Sequence, residues 1–222
     1  MMQTEAVLDR RRFLQAGILG GALLAADALF ARRASAVPRY APVRSVDANG
    51  LQLPLGFTSR IVARSNVLVS GTKYKWHRAP DGGRVFAVPD GWVYVSNCEL
   101  PSGAGGVGMI RFNQSGAITD ARRILNGTNR NCSGGHTPWG TWLSCEETDD
   151  GRVWEVDPLG IRAAVTHLGM GRFNHEGAAV DAAKGTVYLT EDALSGLFYR
   201  YRYAQPENLA SGVLEARFSG CA

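Results

Sequence analysis

The residues best suited to chemistry lie in one stretch, Asn131 to Thr148, which reads NCSGGHTPWGTWLSCEET. Cys132 offers a thiol that can ligate a soft or borderline metal, and the adjacent acids Glu146 and Glu147 offer hard oxygen ligands. The same stretch also fits a disulfide between Cys132 and Cys145 beside an ordinary strand. The residue types therefore allow either a metal site mounted on a sheet or a disulfide-bearing loop.

A repeat relates these acids to residues far away in the chain. Three segments align without gaps: GWVYVSNC from Gly91, GTWLSCEE from Gly140 and GTVYLTED from Gly185. The alignment places Asn97, Glu146 and Glu191 at one equivalent position. The next position holds Cys98, Glu147 and Asp192, and Glu99 lies just beyond it. Carboxylates that converge raise one another's pKa unless a cation neutralises them. The repeat thus predicts a calcium or other hard-cation site, against the alternative of solvated turn acids at strand ends.

A second cluster, RFNHEGAAVD from Arg172 to Asp181, precedes the third repeat. Glu176 can add a carboxylate to the site, and the alternative is a turn with a buried histidine at His175. The spacing of cysteines and histidines is not that of a structural zinc site. The sequence also lacks a nucleophile elbow, a P-loop and a dinucleotide-binding glycine motif.

The elements that must position these residues are short strands. A second strand-like piece follows each repeat, at 107–112, 152–157 and 196–203. Strands in units of about 45 residues are typical of β-propeller blades with four strands each, and a β-sandwich is the competing architecture. Residues 37–222 form one domain in this interpretation, which is an all-β partial propeller of roughly four blades.

The N-terminal residues 1–36 have the pattern of an export signal. A basic segment, DRRRFLQAG, precedes the apolar run ILGGALLAADALFA and then Ala34-Ser35-Ala36. We expect cleavage after Ala36 and export by the twin-arginine translocase to the periplasm or the medium. The apolar run is too short for a stable membrane span, and Asp27 interrupts it.

The charge of the remaining chain excludes one class of partner. Beyond residue 36 there are 19 basic and 17 acidic residues, without a lysine-arginine stripe. A nucleic-acid partner is therefore not expected, since phosphate backbones are bound by clustered positive charge.

The motifs together resemble one family, the PhoX-type alkaline phosphatases. The resemblance rests on NCSGGHTPWGTWLSCEE, NHEGAAVD, VYLTED and the twin-arginine leader, and it extends roughly from Asp47 to Tyr203. It implies a six-bladed propeller, export by the twin-arginine route, and a cluster of iron and calcium ions that hydrolyses small phosphate monoesters. The family pattern continues past residue 222, so the resemblance also implies that this chain is an N-terminal fragment, which can be inactive alone.

The resemblance also implies roles for individual residues. Cys132 is similar to the iron-ligating cysteine, Glu147 to an iron or bridging ligand, and Glu176 to a further metal ligand. These three form the expected catalytic set. The remaining expected metal ligands are Glu146, Glu191, Asp192, Asn97 and Glu99. Asn97 and Glu99 match an Asn-His-Glu pattern only in part, because Cys98 replaces the histidine.

Two alternatives to a phosphatase stay open from the sequence. One is a lactonase-type propeller hydrolase, which holds a single divalent ion and does not need Cys132. The other is a non-enzymatic binding module in which the acids hold structural calcium and Cys132 pairs with Cys145. Within the phosphatase interpretation the substrate can be a monoester, a diester or a nucleotide.

Overall fold

The computed structural model describes residues 40–217, and it is built almost entirely from antiparallel strands. The first sheet contains β1 (Pro80–Val88), β2 (Gly91–Cys98), β3 (Gly105–Asn113) and β4 (Ile118–Thr128). The second contains β5 (Asn131–His136), β6 (Trp142–Glu146), β7 (Val153–Val156) and β8 (Val165–Thr166). The third contains β9 (His175–Asp181), β10 (Thr186–Glu191), β11 (Phe198–Gln205) and β12 (Asn208–Arg217). In each sheet the spatial order of the strands follows the chain.

The helical content of residues 40–217 is limited to two three-residue 3-10 turns, Leu168–Met170 and Ala182–Lys184. Neither is long or apolar enough to cross a membrane. The expected export signal, residues 1–36, lies outside the described residues, as does Cys221.

The all-β prediction is confirmed, and the repeat has a structural meaning. The three repeat segments form β2, β6 and β10, the second strand of each sheet, and the pieces that follow them form the third strands. Residues 40–217 contain three four-stranded sheets rather than the roughly four units expected. The difference arises because residues 40–79 form only isolated bridges, such as Leu68 with Lys75, instead of a fourth sheet.

The chain divides into two compact units at Arg60. In the described part of the first unit, residues 40–60, Val43 bridges Pro54, and Asp47 Oδ1 accepts hydrogen bonds from the Asn49 and Leu51 amides. The second unit begins at Ile61 and carries the three sheets and every residue discussed below.

The core of the second unit consists of layers of apolar side chains between the sheets. Val95 and Met109 of the first sheet pack with Trp142 of the second. On the other side of the second sheet, Leu143 packs with Leu189 of the third. Trp142 and Leu143 face opposite ways because successive residues of a strand point to opposite faces of the sheet. The second sheet is therefore buried on both faces.

The first strands β1, β5 and β9 lie side by side at very short distances. A Cβ atom on Gly82 of β1 would lie 2.8 Å from the Ser133 Cα atom of β5, and one on Gly135 of β5 would lie 1.7 Å from the Ala178 carbonyl oxygen of β9. Only glycine permits this approach of backbones. The glycines thus allow the three first strands to lie close together.

Candidate metal centre

Each sheet places a chemically active residue at the second position of its first strand. These residues are Asp81 on β1, Cys132 on β5 and Glu176 on β9. The Cys132 Sγ atom lies 3.2 Å from Glu176 Oε2 and 3.8 Å from Asp81 Oδ2. Three sequence positions separated by more than 40 residues each are thereby brought into contact.

Each sheet adds a carboxylate immediately after its second strand. The backbone amide of this residue makes the same hydrogen bond in all three sheets: Glu99 to the Ala79 carbonyl at 2.9 Å, Glu147 to Arg130 at 2.9 Å, and Asp192 to Asn174 at 3.0 Å. The repeated bond shows that these three acids occupy equivalent positions.

This equivalence corrects the gapless alignment by one residue in the first sheet. Cys98 pairs with the first residue of β1, as Glu146 pairs with the first residue of β5 and Glu191 with that of β9. Cys98 therefore corresponds to Glu146 and not to Glu147, because Cys98 lies seven positions after its repeat glycine, whereas Glu146 and Glu191 lie six positions after theirs. Glu99 takes the position that the alignment gave to Cys98.

The centre of the arrangement is the group Cys132, Glu147 and Glu176, called the thiol-carboxylate cluster here. One potential ligand atom from each of the three lies within 4.8 Å of the other two. All three side chains are partly buried. Glu99 and Asp192 lie close enough to Glu147 to affect its titration.

The electrostatics of this cluster favour a bound cation. Burial, followed by the hydrogen bond with Glu176 and the negative charges of Glu176, Asp81 and Glu147, raises the pKa of the Cys132 thiol far above its usual value. Burial also raises the pKa of Glu147, and the charges of Glu176 and Glu99 and a hydrogen bond with Asp192 add to this, although the bond with Cys132 opposes it. A cation reverses these shifts because it stabilises the charged form of each ligand.

The predicted residues Glu146 and Glu191 make different contacts. Glu146 is 6% exposed, and its two oxygens accept hydrogen bonds from the backbone amides of Asn129 at 2.7 Å and Arg152 at 3.2 Å. Glu191 Oε2 accepts from the Leu197 amide at 3.0 Å and from the Tyr199 hydroxyl at 2.9 Å.

Cys98 completes this second set, in which each side chain bonds to the backbone six residues ahead. Its thiol donates to the Ala104 carbonyl at 3.6 Å and to the Arg78 carbonyl at 3.2 Å. We call Cys98, Glu146 and Glu191 the brace residues, since they connect the end of the second strand to the following turn. Metal ligation by Glu146 and Glu191 stays a prediction.

Asn97, another predicted ligand, is fully buried and donates hydrogen bonds to the carbonyls of Cys132 and Ser133. His175 is also buried, and its Nε2 atom lies 3.3 Å from the Gly171 carbonyl oxygen, while burial lowers its pKa to about 4. The buried-histidine alternative for this segment is therefore correct for His175, whereas the neighbouring Glu176 points into the cluster.

The disulfide alternative is wrong for this structure. Cys98, Cys132 and Cys145 are free thiols. Cys132 points toward Glu176, whereas Cys145 belongs to the apolar layer between the second and third sheets. The thiols of Cys132 and Cys145 therefore lie in different environments.

Sequence reasoning missed Asp81, although a signal for it exists. Asp81-Gly82, Cys132-Ser133-Gly134 and Glu176-Gly177 each precede the repeat glycine by eight to ten residues. If the alignment is extended upstream into the first strands, Asp81, Cys132 and Glu176 take equivalent positions.

The thiol-carboxylate cluster lies within the segments that match a known family. The model of the family described as alkaline phosphatase PhoX matches residues 93–153 and 148–216, which is more than half of the chain. No curated protein matches the sequence. The matched segments include Cys132, Glu147 and Glu176, whereas Asp81 precedes them. On this match, the chain belongs to the PhoX alkaline phosphatase family.

Proposed function

We propose that this protein is an exported, metal-dependent phosphatase that hydrolyses small phosphate monoesters. The observation that carries the proposal is the convergence of Cys132, Glu147 and Glu176, whose ligand atoms lie within 4.8 Å of one another. Family membership gives the reaction class. The described residues supply part of such a site.

The proposed architecture is that of consecutive blades of a β-propeller. Three four-stranded antiparallel sheets follow one another in the chain, with their first strands side by side. Equivalent strand ends then face a common axis, which explains why equivalent residues of different sheets meet at one cluster. The six blades implied by the family resemblance form part of this proposal.

The donor atoms fit a mixed iron and calcium site. Cys132 supplies one sulfur, which suits iron, and the carboxylates of Glu147 and Glu176 supply hard oxygens, which suit calcium. Asp81, Glu99 and Asp192 are the neighbouring acids that extend the oxygen set. When bound, such metals neutralise phosphate oxygens and lower the pKa of a bound water.

The side chains of this chain have their own part in that chemistry. The Cys132 thiol must lose its proton to ligate a metal, and Glu176 Oε2 lies 3.2 Å from the sulfur, where it can accept that proton. Metal loading is therefore expected to release protons and to weaken as the pH falls. The partly buried cluster holds its ligands on strand ends, which position them more rigidly than loops.

Export is the second part of the proposal. The twin-arginine pattern in residues 1–36 favours the translocase that carries folded proteins, with the periplasm or the medium as destination. That route permits metal loading before export, so an oxidising compartment would meet Cys132 already ligated.

The test compares the complete chain with two variants, Cys132→Ser and the exposed-acid control Glu207→Gln. We expect the unmodified protein and the control to contain iron and calcium and to release nitrophenol from p-nitrophenyl phosphate. Cys132→Ser and chelator treatment should abolish both metal content and hydrolysis. A protein with intact Cys132 that binds neither ion would overturn the proposal. A single divalent ion that is retained in Cys132→Ser would instead favour the lactonase-type alternative.

A further inference from the structure

Asn97 connects the first sheet to the strand that carries Cys132. It lies near the end of β2 and is 0% exposed. Its Nδ2 atom donates hydrogen bonds to the carbonyl oxygens of Cys132 at 2.8 Å and Ser133 at 2.7 Å. Its Oδ1 atom accepts from Trp142 Nε1 at 2.9 Å and from Ser144 Oγ at 2.8 Å. All four partners belong to the second sheet.

These four bonds use the whole hydrogen-bonding capacity of the side chain. A carboxamide has two N–H donors and an oxygen that accepts two bonds. The Trp142 indole is only a donor, so rotating the amide by 180° would place two donors against each other. The orientation of Asn97 is thus fixed, and its oxygen is fully engaged within the protein.

The backbone that Asn97 contacts lacks regular pairing inside its own sheet. β5 pairs with β6 at Asn131 and again at Gly134, and the register shifts between them. Cys132 and Ser133 lie in this β-bulge, where ladder bonds are interrupted and the strand bends. Asn97 therefore supplies donors from the neighbouring sheet to the two carbonyls of this irregular segment.

The residue before Cys132 is held by the same network. Asn131 Nδ2 donates to Ser144 Oγ at 2.9 Å, and Asn131 Oδ1 accepts from Thr128 Oγ1 at 2.5 Å. Asn131, Ser144 and Thr128 are all buried. Fully satisfied buried networks of this kind restrict a segment to one conformation.

We propose that Asn97 is the positioning residue of Cys132: by binding the two carbonyls of the bulge, it directs the Cys132 thiol toward Glu147 and Glu176. The role as a metal-site residue rests on the proposed function. Asn97 acts through the backbone of Cys132 and not as a ligand itself, which separates this role from the ligation expected from the sequence.

The primary variant is Asn97→Asp, which keeps the shape but turns two donors into acceptors facing two carbonyls. The probe is Co²⁺ added to the complete metal-free protein, because a cobalt-thiolate bond gives a charge-transfer absorption that reports on sulfur ligation. We expect Asn97→Asp to weaken Co²⁺ binding by about 10- to 100-fold, as for other residues that orient metal ligands. The thiolate absorption should also shift or fall.

A second variant and a stability control keep the test decisive. Trp142→Phe removes one donor to Asn97 Oδ1 and leaves Cys132 untouched, so we expect a smaller change of the absorption in the same direction. Leu189→Val destabilises the other intersheet layer and should leave the absorption unchanged.

The outcomes separate this inference from the proposed function. A normal absorption and affinity in a folded Asn97→Asp protein would overturn the inference alone. If Asn97→Asp does not fold, an unchanged absorption in Trp142→Phe would overturn it. An unmodified protein that binds Co²⁺ without any thiolate absorption would instead refute the role of Cys132 in the proposed metal site.

Discussion

Glu146 and Glu147 are adjacent and chemically identical, yet they lie in opposite surroundings. Glu146 is almost fully buried, and its carboxylate oxygens accept two backbone hydrogen bonds. Glu147 faces Cys132 and Glu176, and burial and neighbouring carboxylates raise its pKa. Successive residues at a strand end point in opposite directions, which is why the two acids separate. One stabilises a turn, and the other belongs to the thiol-carboxylate cluster.

The other sheets show the same division. Cys98 and Glu191 are the brace residues there, and Glu99 and Asp192 follow them with equivalent backbone bonds. A cysteine can serve as a brace because that position needs only a group that reaches the turn. The position facing the cluster is acidic in all three sheets. The difference teaches that two adjacent positions at a strand end have separate surroundings: the brace residue bonds to the following turn, and the residue after it lies at or near the thiol-carboxylate cluster.

The largest expected effect comes from Glu147→Gln. Removing one ligand charge from the cluster should lower metal affinity and phosphatase activity by about 100-fold or more, above the range for residues that only orient ligands. The metal-free protein should not lose stability, because the substitution relieves repulsion with Glu176 and Glu99. Metal titration and urea unfolding of the same preparation measure the two quantities. Unchanged metal affinity would remove Glu147 from the site.

Glu146→Gln should show the opposite pattern. The new amide places a donor against one of the two backbone N–H groups, and the buried group left unpaired costs about 1–3 kcal/mol of unfolding free energy. Metal affinity per folded molecule should stay within about twofold, well below the change expected for a ligand. Glu207→Gln, an exposed turn acid, is the matched control for loss of a carboxylate. If Glu146→Gln instead loses metal as strongly as Glu147→Gln while remaining folded, the comparison fails.

The sequence predicted the second strands better than it predicted their hydrogen-bond register. Glycine-led, β-branched and aromatic segments predicted the second strands, and the repeat placed Glu147 and Asp192 at positions that prove equivalent. It misplaced Cys98, because the extra residue of β2 becomes visible only through its pairing with Pro80. Hydrogen-bond register, which decides such a shift, depends on the partner strand as well as on the pattern of the strand itself.

Two features of the site could not be predicted from local sequence patterns. Asp81 was missed because the first strands vary more in residue type, with an acid, a thiol and another acid at the shared position. Asn97 was predicted to be a ligand because the repeat aligns it with Glu146 and Glu191 and because it partly matches the Asn-His-Glu pattern implied by the family resemblance. The structure places it against four hydrogen-bond partners of another sheet, a long-range contact that no spacing along the chain reveals.

A smaller effect is expected from Tyr199→Phe, which tests the brace in the third sheet. It removes one hydrogen bond to Glu191 Oε2 and leaves the bond from the Leu197 amide. The loss should be about 1 kcal/mol of unfolding free energy, with metal binding unchanged. Burial and the Glu191 carboxylate raise the pKa of Tyr199 to about 12, so absorbance titration of the native protein should lose one late-titrating tyrosine in the variant. A large loss of metal would contradict a purely structural role for Glu191.

The last effect concerns acid stability and contrasts the pKa of Glu155, a hydrogen-bonded structural acid, with that of Glu147. Although burial opposes it, hydrogen bonds from His167, Thr141 and Trp139 lower the pKa of Glu155 from 4.5 to about 2. A depressed folded-state pKa means that the carboxylate stabilises the fold fully above pH 4.5 and loses this contribution as the pH falls toward 2. Glu155→Gln should therefore flatten the dependence of unfolding free energy on pH in that interval. An identical acid dependence in both proteins would mean that hydrogen bonding does not lower the pKa of Glu155 in the folded protein, and the contrast with Glu147 would then be lost.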